Sequence, residues 1–399
     1  MFGQLRLVIA LAAATLGQAG VASGWPLVVH EWGTFTSVAG EDGRMISWRP
    51  LSPPSELPPF VHSMASATGQ LRHPITKGVL SGTVRMETPV LYFYTPQERE
   101  VSVKVGFPSG TVTEWYPQAR SVADGIDWGT IRLIPEAAQD FRREANPSAY
   151  YAARATDATP IRVSGKTGAE SEKFLFYRGV GSFEPPLAIK LEGRNVRLRG
   201  TEKEPIEEVV LFERVEDRLG FRVLPVGAAE QVVARPELNE ELDSVLRTLN
   251  RILVQQGLYP KEAEAMIETW RSSWFEPGLR AFFVMPSAST RAQLPLAISP
   301  EPTELVRVLI GRVEILTPEQ ERLVRIDLER LRELPSAQRL AAERALRAKY
   351  GRFAEPLFKR VLAGTSATQV RDMLSELLAA REPATGRADP TSGAQVFAE

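Results

Sequence analysis

The chain reads as an α+β protein: an antiparallel β-sandwich-like N-terminal region, then a mainly helical C-terminal region to which a few strands return. Three observations predict this. From residue 27 to about 233, short runs of valine, threonine and aromatic residues at period two are punctuated by glycine and proline. After Pro236 the apolar spacing changes to i, i+3, i+4, as on one face of a helix. Between residues 279 and 315 the period of two comes back.

Residues 1–23 read as a signal peptide, with Arg6 as a positive n-region, an apolar run from Leu7 to Leu16, and small residues at Gly20-Val21-Ala22-Ser23 for cleavage. That run is about ten residues where a membrane span needs about 20. No later segment is apolar enough to span, so the protein is expected to be periplasmic or secreted and free of a membrane span.

The expected β-rich unit covers residues 24–235. Its strands are read at Leu27–Val38, Thr83–Tyr94, Arg99–Phe107, Thr111–Tyr116, Trp128–Ile134, Pro160–Val163, Lys173–Gly179, Leu187–Leu191, Val196–Leu198, Glu207–Glu213 and Leu219–Leu224. In Arg99–Phe107, Val101, Val103, Val105 and Phe107 alternate with Ser102, Lys104 and Gly106, which puts one face on a core and one in water. Pro89 inside Thr83–Tyr94 demands an edge strand, a bulge or two strands, because proline cannot donate to a ladder.

A mixed helical region is expected over residues 236–382, with strands at 279–315. Leu238, Leu242, Val245, Leu249 and Ile252 form one stripe that stops at Gly257, a fitting C′ glycine. A second helix runs from Lys261 to Phe275, and the strands Leu279–Met285, Leu294–Ile298 and Leu305–Ile315 follow. Thr317-Pro318-Glu319-Gln320 places a hydroxyl cap, a proline at N1 and an amide at N3, which opens a third helix. Further helices are read at 336–350, 353–362 and 366–380, and the tail 383–399 has too few large apolar residues to fold.

Composition removes several classes of function. With zero cysteines in 399 residues there is no disulfide, thiolate metal site or cysteine nucleophile. A formal net charge of −1, with arginines interleaved among glutamates, argues against a nucleic-acid partner. Gly165-Lys166-Thr167 lacks the earlier glycine of a phosphate loop, since Pro160 stands there, and no Gly-x-Ser-x-Gly or Gly-x-Gly-x-x-Gly occurs.

All three histidines fall between residues 30 and 73, the first in His30-Glu31-Trp32-Gly33-Thr34-Phe35-Thr36. This confines any imidazole chemistry to one stretch. The expected site takes His30, His62 and His73 as ligands of a divalent zinc, copper or iron ion, with Glu31 or Glu87 as the catalytic carboxylate. Met64 and Met86 lie near enough in sequence to keep copper in play. On a regular strand His30 shares a face with Trp32, Thr34 and Thr36 while Glu31 points away, so only a bulge would let His30 and Glu31 share an ion. Arg85 and Glu87 share a face of their strand, a pattern met more often as a structural ion pair than as a catalytic group.

The resulting expectation is an exported soluble protein, a metal-dependent hydrolase or oxidase working near its mature N-terminus. The alternative is a non-catalytic protein that binds a small molecule or a glycan. Aromatic strands such as Thr113-Glu114-Trp115-Tyr116 would supply sugar-stacking rings if exposed, although core packing is their commoner role.

The runs VVHEWGTFTSVAGEDG, LPPFVH, RMETPVLYFY, TEWYP, EKFLFYRG, WFEPGLR and LTPEQE resemble a family of secreted bacterial proteins marked by an N-terminal HEWGTFTS motif. The resemblance spans most of the mature chain. It implies export and one integrated architecture, and it assigns no activity.

Overall fold

A computed structural model describes residues 25–49, 57–64, 80–165, 168–366 and 368–379. The leader at 1–23, His73 and the tail at 383–399 lie outside the described residues. The chain is mixed α/β, 40% strand and 29% helix, with large sheets and no closed barrel among the described residues.

The first strands are β1 (Val28–Ala39), β2 (His62–Ser63), β3 (Val84–Tyr94), β4 (Arg99–Gly106), β5 (Gly110–Tyr116), β6 (Ser121–Ala123), β7 (Gly125–Leu133), β8 (Ile161–Gly165) and β9 (Gly168–Glu172). They continue with β10 (Leu175–Gly181), β11 (Leu187–Glu192), β12 (Asn195–Gly200), β13 (Ile206–Val215), β14 (Arg218–Val226) and β15 (Gln231–Ala234). Then come α1 (Leu242–Gln255), α2 (Pro260–Trp274), β16 (Gly278–Val284), α3 (Ser287–Gln293), β17 (Leu296–Ser299) and β18 (Glu304–Ile315). The chain closes with α4 (Pro318–Glu333), α5 (Ser336–Tyr350), α6 (Ala354–Ala363) and α7 (Thr368–Ala379).

A nine-stranded sheet runs β14-β13-β16-β18-β1-β3-β10-β5-β2, beside a six-stranded sheet through β17-β4-β7-β8-β9 and a three-stranded sheet β11-β12-β15. The returning strands β16 and β18 are therefore interior members of the sheet that β1 and β13 build, and this sheet crosses the boundary expected at 235/236. β1 and β18 pair in parallel, Val28 opposite Glu304 through Ala39 opposite Ile315, whereas β1 and β3 pair antiparallel. Parallel neighbours need a long connection, and these two strands lie at opposite ends of the sheet-forming chain.

Alternation along β1 sets the two faces of the large sheet. Val29, Phe35 and Ala39 join an apolar cluster that draws on all three sheets, with Val101, Val103, Trp128 and Leu198. Trp32 joins the opposite cluster, where Val90, Tyr92, Phe282 and Ile310 meet Leu249, Ile252, Met266 and Trp274 of α1 and α2. A third cluster packs α4 to α7 around Trp48, Leu316, Phe353 and Phe358.

Local signals explain the boundaries. The α1 stripe ends at Gly257, whose φ of +103° is a left-handed conformation that costs other residues energy. The capping box forms as its residues predict, with Gln320 N–H donating to Thr317 Oγ1 at 3.2 Å and Thr317 N–H donating to Gln320 Oε1 at 2.9 Å. Pro89 lies in an interior strand and is accommodated by a bulge, because the β1–β3 register shifts between Trp32 and Thr34. Thr88 sits there at φ +48° while 95% buried, and a Cβ on Gly33 would come within 2.8 Å of the Pro89 backbone. Small β2, β6, β9 and β15, the short helix α3 and a 3-10 turn at Ala149–Arg154 carry no long periodicity and were not anticipated.

Candidate functional site: a buried arginine and glutamate row

The helix-covered face of the large sheet is apolar at one end and charged at the other. Successive strands place Glu114 (β5), Arg178 (β10), Arg85 and Glu87 (β3), Thr34 and Thr36 (β1), Arg312 and Glu314 (β18) and Arg280 (β16) along it. Glu276, in the turn after α2, and Arg352, in the 3-10 turn after α5, close over the row. Glu87, Glu114, Arg280, Arg312 and Glu314 are each at most 1% exposed.

The row is continuous. Arg178 Nε lies 2.9 Å from Glu114 Oε2. Arg85 Nε lies 3.7 Å from Glu87 Oε2, too long for a hydrogen bond, and Arg352 Nη1 donates to both Glu87 oxygens at 3.2 Å. Arg312 Nη2 donates to Glu276 Oε1 at 3.1 Å and to Glu314 Oε2 at 3.0 Å. Arg280 completes the line on Glu314 at 2.8 and 3.1 Å.

Electrostatics follow from this crowding. Burial alone would raise the Glu87 carboxyl, but the guanidiniums of Arg352 and Arg85 pull it down to about 2. Arg85 is lowered as well, to about 10, first because it is desolvated and then because Arg178 and Arg352 repel it, with Glu87 offsetting part of the loss. Among the described residues, Arg85, Arg178, Arg280, Arg312 and Arg352 here meet the carboxylates of Glu87, Glu114, Glu276 and Glu314.

Arg280 and Arg312 show what is missing. Arg280 spends its donors on Glu314 and on the carbonyls of Trp274, Glu276 and Pro277 at 2.6 to 3.1 Å. Arg312, equally buried, has no hydrogen-bond acceptor at Nε or Nη1. The Phe353 ring lies 5.0 Å from its Cζ and covers a face of the guanidinium, which leaves the in-plane N–H groups unmet. Arg85 Nε and the indole Nε1 of Trp274 also lack acceptors, as does the Thr34 hydroxyl. Each orphaned buried donor costs about 1 to 3 kcal/mol, so the set asks for an acceptor-rich group.

The expected metal set is not brought together. His30 and His62 stand on β1 and β2, four strand spacings or about 19 Å apart. His30 Nδ1 pairs with Glu262 Oε2 at 2.7 Å, whereas His62 Nε2 pairs with Glu170 at 2.9 and 3.0 Å. Glu31 faces the other side of the sheet, held by Tyr177 Oη at 2.5 Å and Arg307 Nε at 2.6 Å. Glu87 shares a face with His30 but pairs with Thr34, four residues or about 13 Å farther along β1. Among the described residues no three His, Asp or Glu side chains converge as metal ligands. The bulge that would have joined Glu31 to His30 is present, but it falls after Trp32 and leaves both where regular alternation puts them.

Trp115 and Tyr116 are 7% and 3% exposed, so these rings pack in the core and do not form a stacking platform. The sequence did not single out Glu262, Arg312, Arg280 or Arg352 as site residues, and it offered Arg178 only as part of the aromatic strand Lys173–Gly179. The signal was available for the strand residues, because a charge at an inward position of an apolar alternation, as in Val308, Ile310, Arg312, is itself an anomaly.

No family model and no curated protein matches the chain. Among solved structures it is similar to the yeast delta-COP-I mu-homology domain, both free and complexed with a Dsl1 WxWxV peptide. Each comparison has 9% identity and a TM-score of 0.26, covering 73% of this chain and 96% of that chain.

Proposed function

We propose that the protein is an exported, non-catalytic binding protein for a small oxyanion, a carboxylate, phosphate or sulfate, held against the arginine row of the large sheet. The observation that carries this reading is Arg312, fully buried with Nε and Nη1 unmet. An oxyanion supplies in-plane acceptors for such a fork. The Trp274 indole and Arg85 Nε are also without acceptors. Glu276 and Arg352, whose side chains are 30% and 16% exposed, mark the rim by which a ligand enters. Export rests on the signal-like leader.

Titration calorimetry with acetate, succinate, phosphate and sulfate tests the reading. Saturable binding of at least one anion is expected, and Arg312→Met is expected to weaken it by about tenfold to a hundredfold, the worth of a charged hydrogen bond or two. Equal binding by the folded variant, or no saturable binding of any of the four, contradicts it.

A further inference from the structure

A second set of groups, away from the arginine row, is built around His30. The imidazole is 0% exposed, and its Nδ1 lies 2.7 Å from Glu262 Oε2. That carboxylate also accepts the Tyr94 hydroxyl at 2.8 Å and the backbone N–H of Tyr259 at 2.8 Å, the latter because Glu262 is the N3 residue of α2. A carboxylate gathering these donors puts a proton on Nδ1 and leaves Nε2 as the ring atom open to a ligand. Nε2 is buried and has no hydrogen-bond partner.

The surroundings define what would meet that atom. The Tyr259 ring lies 4.5 Å from the imidazole and is 40% exposed, while Tyr94 stands edge-on to the imidazole at 5.5 Å. The two tyrosine rings are themselves 4.9 Å apart and perpendicular. A ring that already meets water thus lies against an imidazole whose Nε2 has no partner. Burial pushes the Tyr94 phenol up, reinforced by Glu262, so it stays a donor to the carboxylate and does not compete for Nε2.

We propose that Glu262-His30, flanked by Tyr259, is a subsite for a sugar or other polyol, in which Nε2 accepts one ligand hydroxyl and the tyrosine rings pack against its C–H face. Aromatic rings beside an oriented acceptor suit an amphipathic molecule with hydroxyls at its edge. The subsite stands independently of the anion site, being built on different side chains.

Nitrogen-15 NMR of the histidine side chains in the folded protein, with D-glucose and glycerol as probes, tests it. The expected His30 spectrum has a protonated Nδ1 and an unprotonated Nε2, and a probe moves the Nε2 resonance saturably. Tyr259→Ala, which removes the ring beside the imidazole, is expected to speed acylation of His30 by diethyl pyrocarbonate, read peptide by peptide, while His62 is unchanged. A protonated Nε2 in the wild-type protein overturns the proposal without any variant. An Nε2 resonance that neither probe moves, in the wild type and in folded Tyr259→Ala alike, overturns it as well.

Discussion

Arg312 and Arg280 project from adjacent strands onto the same buried face, yet one is saturated with acceptors and the other keeps Nε and Nη1 unmet. Glu87 gives this face its pH dependence. Its folded carboxyl lies near 2 against an ordinary 4.5, so its stabilisation is fully present above about pH 4.5 and is lost as pH falls toward 2. The shift corresponds to about 3 kcal/mol for this fully buried group. Urea unfolding of the wild type is expected to weaken across that window, and folded Glu87→Gln should be less stable at pH 7 and show a flatter profile there. A variant whose acid profile equals that of the wild type would show that other carboxylates carry the effect. That Arg85 and Glu87 share a face was legible from their spacing; that Arg312, far away in sequence, completes the site was not, because only the parallel β1–β18 pairing brings it there.

At the scale of the element, the bulge opposite Gly33 matters most. It places Thr88 at positive φ and shifts the β1–β3 register, so Glu87 faces Thr34 on the helix side. Gly33→Ala puts a Cβ 2.8 Å from the Pro89 backbone and 3.0 Å from Leu309 Cδ1, and overpacking of this kind costs about 1 to 3 kcal/mol. Chemical denaturation should register that loss, and a neutral result would mean that the bulge relaxes freely. The anomaly was visible as Pro89 within a β pattern, and its resolution depended on β3 having partners on both sides. The helix cap at Pro318 was easier to read, since its hydrogen bonds join residues three apart.

Across the whole molecule, β16 and β18 lie between β13 and β1, so the large sheet cannot be completed by the first 235 residues. A fragment ending at 235 loses the partners of β1 and β13 on that side and exposes Trp32, Val210 and Phe212 by removing α1 and α2. It is expected to lack cooperative unfolding by circular dichroism, and a sharp transition in the fragment would show that the β-rich half folds alone. Strand positions were legible from period two because alternation is local. The order of the strands was not, since it is set by contacts hundreds of residues apart, and the charged face appears only when that order is known.

A high-resolution crystal structure grown with the tightest-binding of the four anions locates the anion on the protein. Oxyanion density is expected within hydrogen-bond distance of Arg312 Nε or Nη1, on the side away from Glu314 and Glu276. Ordered waters alone on those nitrogens, with the anion bound elsewhere on the protein, would contradict an anion site on the arginine row.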